Sequence, residues 1–196
     1  MGARRLAGEY TIRSARKDDC PAIAALYSIS SEGIADYIWS KLAKPEEDIL
    51  MVGRRRYERE DSLFSYQNCT VVESDGATVG MLVAFPMYID SSEKETDPVL
   101  APYSRLEENN SYYICGIALF PEHRGNGVGT RLLDLAERHA REEGFRKISL
   151  IVSEQNRGAM RLYERAGFEE VKREAIYPHP LIHCTGDAIL MVKTLA

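Results

Sequence analysis

The 196 residues carry 44% hydrophobic and 28% charged side chains, a length and balance that fit a single globular domain spanning 1–196 and exclude a disordered chain. A net charge of −5 argues against nucleic acid as the main partner, because a surface built to neutralise phosphates concentrates Lys and Arg. No apolar stretch approaches the roughly 18 residues of a membrane helix, and the start Met1-Gly2-Ala3-Arg4-Arg5-Leu6 has no apolar run of signal-peptide length and no Ser or Thr at position 6 for myristoylation. A cytoplasmic protein with no membrane partner is the expectation.

In chain order, residues 9–14 read as a short strand, followed by a helix from Asp18 to Ser28 that starts on Asp18-Asp19 with Pro21 in its first turn. Residues 33–59 have helical spacing of Ile34, Ile38, Trp39 and Leu42, interrupted by Pro45, which predicts two helical pieces. Trp39 and Tyr37 read as a packed face. The run Arg54-Arg55-Arg56-Tyr57-Glu58-Arg59-Glu60 interleaves acids with bases and reads as a solvated helical face. Two β-rich runs, 69–73 and 78–85, flank Asp75-Gly76 and predict an antiparallel hairpin.

Residues 86–110 are rich in Ser, Glu, Asp and Pro and predict a long loop, either a lid over a substrate or plain surface. Its acids Glu93, Glu95, Asp97, Glu107 and Glu108 either favour a cationic ligand or keep the loop soluble. A strand at 112–119, a helix at 127–143 ended by Gly144 and a strand at 147–152 follow. Strand, helix and strand at this spacing predict a right-handed crossover between parallel strands, with the intervening turn at the carboxyl end of the first, where α/β sheets bind ligands. A helix at 156–165, a strand at 169–176, a Pro-containing connection and a strand at 187–193 complete an α/β (α+β mixed) order. The predicted architecture is a mixed sheet with helices on both faces.

Cys20, Cys69, Cys115 and Cys184 have no C-x-x-C pair and no His at zinc-ligand spacing, so neither a metal site nor a disulfide framework is predicted. Each reads as a reduced small hydrophobe, Cys115 best of all because it lies in an apolar strand. His123 reads as an exposed turn residue and His139 as a helix-edge residue.

The turn Arg124-Gly125-Asn126-Gly127-Val128-Gly129 concentrates glycines at the start of a helix. Such a turn points backbone N–H groups at one spot and adds the helix's positive end, which makes a pyrophosphate cradle or a closely packed turn. Arg124 adds a charge and Thr130 a hydroxyl. The order G-x-G-x-G matches neither the Walker loop nor the dinucleotide fingerprint.

Two stretches, Ile117-Ala118-Leu119-Phe120-Pro121-Glu122-His123-Arg124-Gly125-Asn126-Gly127-Val128-Gly129-Thr130 and Asn156-Arg157-Gly158-Ala159-Met160-Arg161-Leu162-Tyr163-Glu164-Arg165-Ala166-Gly167-Phe168, together resemble the R-x-x-G-x-G/A and N-x-x-A-x-x-L-Y-x-x-x-G-F segments of the GCN5-related N-acetyltransferase (GNAT) family. The resemblance is strong from Tyr112 to Phe168. It implies a central, mixed and splayed sheet, with acetyl-CoA as acyl donor and a small-molecule or peptide amine as acceptor; it also allows a homodimer. In that reading Ile117, Ala118 and Leu119 pair with the pantetheine amides, and Arg124, Gly125, Gly127, Val128 and Gly129 hold pyrophosphate with Asn126 and Thr130 adjoining it.

Asn156 and Tyr163 share a helix stripe, because seven residues nearly complete two turns. By resemblance Asn156 contacts the pantetheine arm and Tyr163 protonates the departing thiolate, a role that suits a phenol of reference pKa about 10. Many relatives carry a Glu on the strand before the turn, whereas this chain has Tyr112, Tyr113, Ile114 and Cys115 there. Glu73, His179, His183 or water are the candidates for the amine's base. The missing strand carboxylate also motivates a second reading, a non-catalytic acyl-CoA sensor, and a third is a protein that keeps only the fold.

Overall fold

The structure, a computed structural model, describes residues 9–90, 92 and 94–195; the readings made on residues 1–8 and on Glu93 lie outside them. The first strand β1 (Thr11–Ser14) is followed by α1 (Cys20–Ser30) with Pro21 in its first turn. The helix begins two residues later than the acids suggested, because the Asp19 carboxylate does not cap it. Instead Asp19 accepts both Arg13 guanidinium nitrogens at 2.8 and 3.0 Å, the Thr78 hydroxyl at 2.7 Å and the Arg16 N–H at 2.7 Å. One buried carboxylate thereby ties three separate segments.

Burial pushes the Asp19 carboxyl up, but the hydrogen bonds from Arg13, Thr78 and Arg16 outweigh it and hold it at about 2, below its ordinary 3.8. The folded-state pKa is depressed, so the stabilisation is complete above about 3.8 and disappears as pH falls through about 2. It amounts to roughly 2 kcal/mol at most. Urea midpoints measured from pH 5 to pH 2 are expected to show the gap between wild type and Asp19→Asn closing over the last two units; a gap that stays constant would refute the assignment.

Helices α2 (Ile34–Leu42) and α3 (Ile49–Tyr57) are the two predicted pieces. Pro45 falls in the break between them, and the Asp48 side chain caps α3 by accepting the Leu50 N–H at 2.9 Å. The basic run on α3 is satisfied locally, as read: Arg54 pairs with Glu58 at 2.7 Å, Arg55 with Glu47, and Arg56 lies over the Phe64 ring at 5.3 Å.

The hairpin β2 (Cys69–Ser74) and β3 (Ala77–Met87) turns on Asp75 and Gly76, both at positive φ (52° and 76°), as a two-residue hairpin turn requires. The 86–110 segment is more structured than its composition suggested. It starts as the end of β3, holds a short helix α4 (Ala101–Arg105), and buries Leu106 completely beside Ile176, Cys184 and Leu190. Then come β4 (Ser111–Leu119), α5 (Val128–Glu142), β5 (Lys147–Ser153), α6 (Arg157–Arg165), β6 (Glu169–Ala175) and β7 (Asp187–Thr194).

The seven strands form one sheet in the order β1-β2-β3-β4-β5-β7-β6. Only β4 and β5 are parallel; every other neighbouring pair is antiparallel. Both faces are covered, and the alternation along the strands sorts side chains between them. Val71, Met81, Val83 and Phe85 pack with Ile23, Leu26, Trp39, Val52 and Tyr57 of α1 to α3. Val72, Leu82 and Ala84 pack on the opposite face with Leu132, Leu133, Ala136 and Ala140 of α5 and Tyr163 of α6.

Candidate functional site

The β4–β5 ladder is short. It pairs Tyr112 with Ile148, Tyr113 with Ser149 and Ile114 with Leu150, and ends there. Beyond that point β5 continues to Ser153 on β7, while β4 continues to Leu119 on β3. Among the described residues, the edge of β4 from Cys115 to Leu119 that faces away from β3 therefore has no strand partner. A bulge marks the divergence: Val83 pairs with Gly116 and Ala84 with Ile114, so Cys115 is the extra residue. Such a bulge bends β4 and leaves its backbone groups available to an extended ligand that would add as a strand.

Helix α1 presses against this divergence. A Cβ on Gly116 would lie 3.0 Å from the Ser30 hydroxyl and 3.3 Å from the Tyr27 ring, so any larger residue would press on α1. The Tyr27 hydroxyl and the Cys115 thiol are 3.0 Å apart. Cys115 is a free thiol packed against the α1–α3 core, as a small hydrophobe would be, although it is the one cysteine of the four that is not fully buried. Burial nevertheless pushes its thiol up to about 12, so it is no nucleophile at neutral pH.

From Leu119 the chain enters the glycine turn. The Arg124 guanidinium donates to the Leu119 carbonyl at 3.0 Å and closes the turn on the strand. Gly125 and Gly127 adopt φ of +79° and +73°, and the space where their Cβ atoms would stand is open. Gly127 is the residue before α5 and supplies no side-chain cap, so the first N–H groups of a 15-residue helix face outward beside Arg124. Val128 is buried and anchors this end. Asn126 points back into the turn, donating to the Tyr10 hydroxyl at 3.1 Å and the His123 carbonyl at 3.2 Å, and Thr130 is exposed in the first helical turn. His123 is half-buried rather than exposed, because Tyr10 packs on its ring edge-on at 5.9 Å.

The second predicted segment meets the first. A Cβ on Gly129 would lie 3.1 Å from Leu162 of α6, so α5 and α6 touch at their backbone-near surfaces. Asn156 caps α6, its Oδ1 accepting the Ala159 N–H at 3.2 Å, and its Nδ2 donates to Glu32 Oε1 at 3.0 Å. Tyr163, two turns on, is 8% exposed and packs beside Phe168. Burial and then the Glu32 charge push its hydroxyl up to about 12, which keeps it protonated at neutral pH.

The three side chains offered as the base lie apart or engaged. Glu73 is held by Arg13 at 3.0 Å at the β1–β2 edge. His179 stacks edge-on against Tyr37 at 4.6 Å, with its Nδ1 accepting the Leu181 N–H. His183 is exposed, and its backbone N–H donates to Glu32. The loop acids also have partners: Asp97 accepts from Tyr37 and pairs with Lys41, and Glu108 pairs with Lys147 at 2.6 Å. Two carboxylates that the sequence did not offer as the base, Glu107 having been read only among the loop acids, are near the divergence. Glu32 is one. Glu107 is the other; it is half-buried, burial pushes its carboxyl up, and its charge acts on Tyr113 and Cys115. The only sequence signal for Glu32 was its place before Gly33 at a helix exit.

Among the described residues no helix is long and apolar enough to cross a membrane, and no group of three His, Cys, Asp or Glu could hold a metal ion.

Residues 31–168 match the acetyltransferase (GNAT) family. An uncharacterized N-acetyltransferase of Methanocaldococcus jannaschii is 29% identical over 170 residues, which cover 87% of this chain and 65% of that protein; the chain thus spans about two thirds of that relative's length. An uncharacterized N-acetyltransferase of Bacillus subtilis is 25% identical over 81% of this chain and 89% of its own length. Among solved structures, yncA from Salmonella typhimurium with its cofactor acetyl-CoA superposes with a TM-score of 0.64 at 20% identity, over 95% of this chain and 94% of that one, a likeness of fold.

Proposed function

Because the chain belongs to the acetyltransferase (GNAT) family, we propose that it transfers an acetyl group from acetyl-CoA to a primary amine by direct attack. The observation that carries this reading is the unpaired β4 edge leading straight into the open glycine turn at the start of α5, with Tyr163 buried on α6 beside it. Ile117, Ala118 and Leu119 would pair with the extended arm of the cosubstrate. Arg124, Gly125, Gly127, Val128 and Gly129, with Asn126 and Thr130 adjoining, would hold its pyrophosphate, and the absence of Cβ atoms at 125 and 127 leaves the room this needs. Asn156 would line the arm.

Backbone N–H groups at the bulge would steady the oxyanion as the amine attacks the thioester carbonyl. The Tyr163 O–H would give the departing sulfur a proton. No enzyme-bound acyl group is required, and the protonated Cys115 thiol offers no route to one.

The test is thiol release from acetyl-CoA across a panel of amines, together with acetyl-CoA binding by calorimetry and thermal shift. A ligand at 100 times its Kd is expected to add about 2.7 kcal/mol of stability. Gly127→Val, which places a β-branched side chain at φ +73°, is expected to weaken acetyl-CoA binding at least tenfold. Tight binding with no thiol release on any amine would favour the non-catalytic acyl-CoA sensor instead, and unchanged binding by the variant would remove the turn from the site.

A further inference from the structure

The amine still needs a base, since an alkyl ammonium of reference pKa about 10.4 is almost fully protonated at pH 7. Glu32 occupies an unusual position for an ordinary surface acid. It is a non-glycine residue at φ +51° in the turn between α1 and α2, a backbone state that persists only where the surroundings over-determine it. The surroundings do so on both sides. Its carbonyl accepts the His183 N–H at 2.9 Å, and the next residue, Gly33, lies against the Leu181 carbonyl so closely that a side chain there would overlap it. The turn is therefore clamped to the 179–184 connection, and the carboxylate is aimed at α6, where Asn156 Nδ2 donates to it at 3.0 Å.

Tyr163 lies seven residues beyond Asn156 on α6; burial and then the Glu32 charge push up the titrating groups of Tyr163 and of Cys184 in the connection, and burial, then Cys184, then Glu32 push up that of Tyr103 on α4. All three stay protonated and uncharged at neutral pH. Glu73, His179 and His183 have no such placement. Resting on the acetyl-transfer reading, we propose that Glu32 is the catalytic base: its carboxylate receives the ammonium of a cationic alkyl amine on the Tyr163 side of the cleft and takes one proton from it.

The proton count closes. Glu32 takes the first proton, and the freed nitrogen pair forms the C–N bond while the C–S pair leaves on sulfur. Sulfur takes the Tyr163 proton, the second nitrogen proton returns through solvent to the Tyr163 oxygen, and Glu32 releases its own to solvent. The net products are the amide, free thiol and one proton. The acceptor class follows: basic alkyl amines rather than arylamines or alcohols.

Glu32→Gln tests this cleanly, because the amide oxygen can still accept from Asn156 while the base is lost. Wild type, Glu32→Gln and Glu107→Gln would be assayed at one neutral pH with n-butylamine, phenethylamine, 1,4-diaminobutane and lysine amide, and with 2,2,2-trifluoroethylamine, whose nitrogen is largely neutral there. Acetyl-CoA affinity and Tm serve as folding controls. The expected result is a kcat about 100-fold lower for the basic amines, a loss of less than about tenfold for the fluorinated one, and unchanged acetyl-CoA affinity. A Glu32→Gln enzyme that keeps its kcat on basic amines, or loses it equally on the fluorinated amine, would overturn the assignment, as would the selective loss appearing in Glu107→Gln instead. If wild type binds acetyl-CoA but turns over none of these amines, the transfer reading itself fails, which is a different outcome from a silent Glu32 substitution.

Discussion

Replacing Tyr163 with Phe is expected to lower kcat for acetyl transfer about 100-fold while changing acetyl-CoA affinity less than threefold. The substitution removes one oxygen and keeps the ring that packs beside Phe168 in the core on the α5–α6 face, so the fold should tolerate it. What it removes is the group best suited to the departing thiolate. Burial and the Glu32 charge hold the Tyr163 hydroxyl at about 12, so the proton is present throughout the neutral range and is committed only when negative charge develops next to it. General-acid groups of this kind contribute about 10²–10⁴-fold. The falling quantity should be kcat, with the KM of the amine little affected, because a general acid acts in the transition state and not on the bound amine. Steady-state kinetics with the best amine, alongside calorimetric titration of acetyl-CoA, would check both halves. Full kcat in the variant would remove Tyr163 from the mechanism.

Trp39→Ala should be the most damaging single change to stability, about 3–5 kcal/mol. Trp39 is 2% exposed and lies between α1 and α3. Tyr27 sits 6.2 Å from it, and Gly53 of α3 faces the indole so closely that a Cβ there would be 2.5 Å from it. The α3 backbone therefore rests on the ring, and neither helix can collapse into the space without dragging a turn with it. A cavity left there costs both the lost transfer energy and the lost contacts. Urea unfolding, with the midpoint and slope compared to wild type, measures the loss; a change below about 1 kcal/mol would mean that the helices repack. Because α1 carries Tyr27 to the Cys115 bulge and leads into the Glu32 turn, the same variant tests whether the cleft depends on this packing.

Several features were legible from residues alone because they are local. Pro45 separates α2 from α3 through its missing N–H, and Asp75-Gly76 forms a turn whose positive φ values only such residues adopt readily. Gly125 and Gly127 sit at left-handed φ with open space above them, whereas Asn156, read as the first residue of the helix, is its non-helical cap (φ −80°, ψ 62°), with Tyr163 seven residues on. The 86–110 segment misled because its polar composition hides two apolar anchors, Val99 and Leu106, that only a tertiary partner reveals as buried. His123 was misjudged for a related reason: Tyr10, not its neighbours in sequence, sets its exposure.

The sequence by itself determined the kinds and order of the elements outside residues 86–110, and the glycine turn at the start of α5, since propensity, capping and periodicity act over a few residues. Only the tertiary structure decided where β4 leaves β5, because that divergence depends on a bulge against β3 and on α1 pressing at Gly116. It alone also decided that Glu32 meets Asn156 across 124 residues of chain. A carboxylate so placed has no local signature. Its position follows from a strained turn clamped by a distant connection, and contacts of that separation are set by packing and not by pattern.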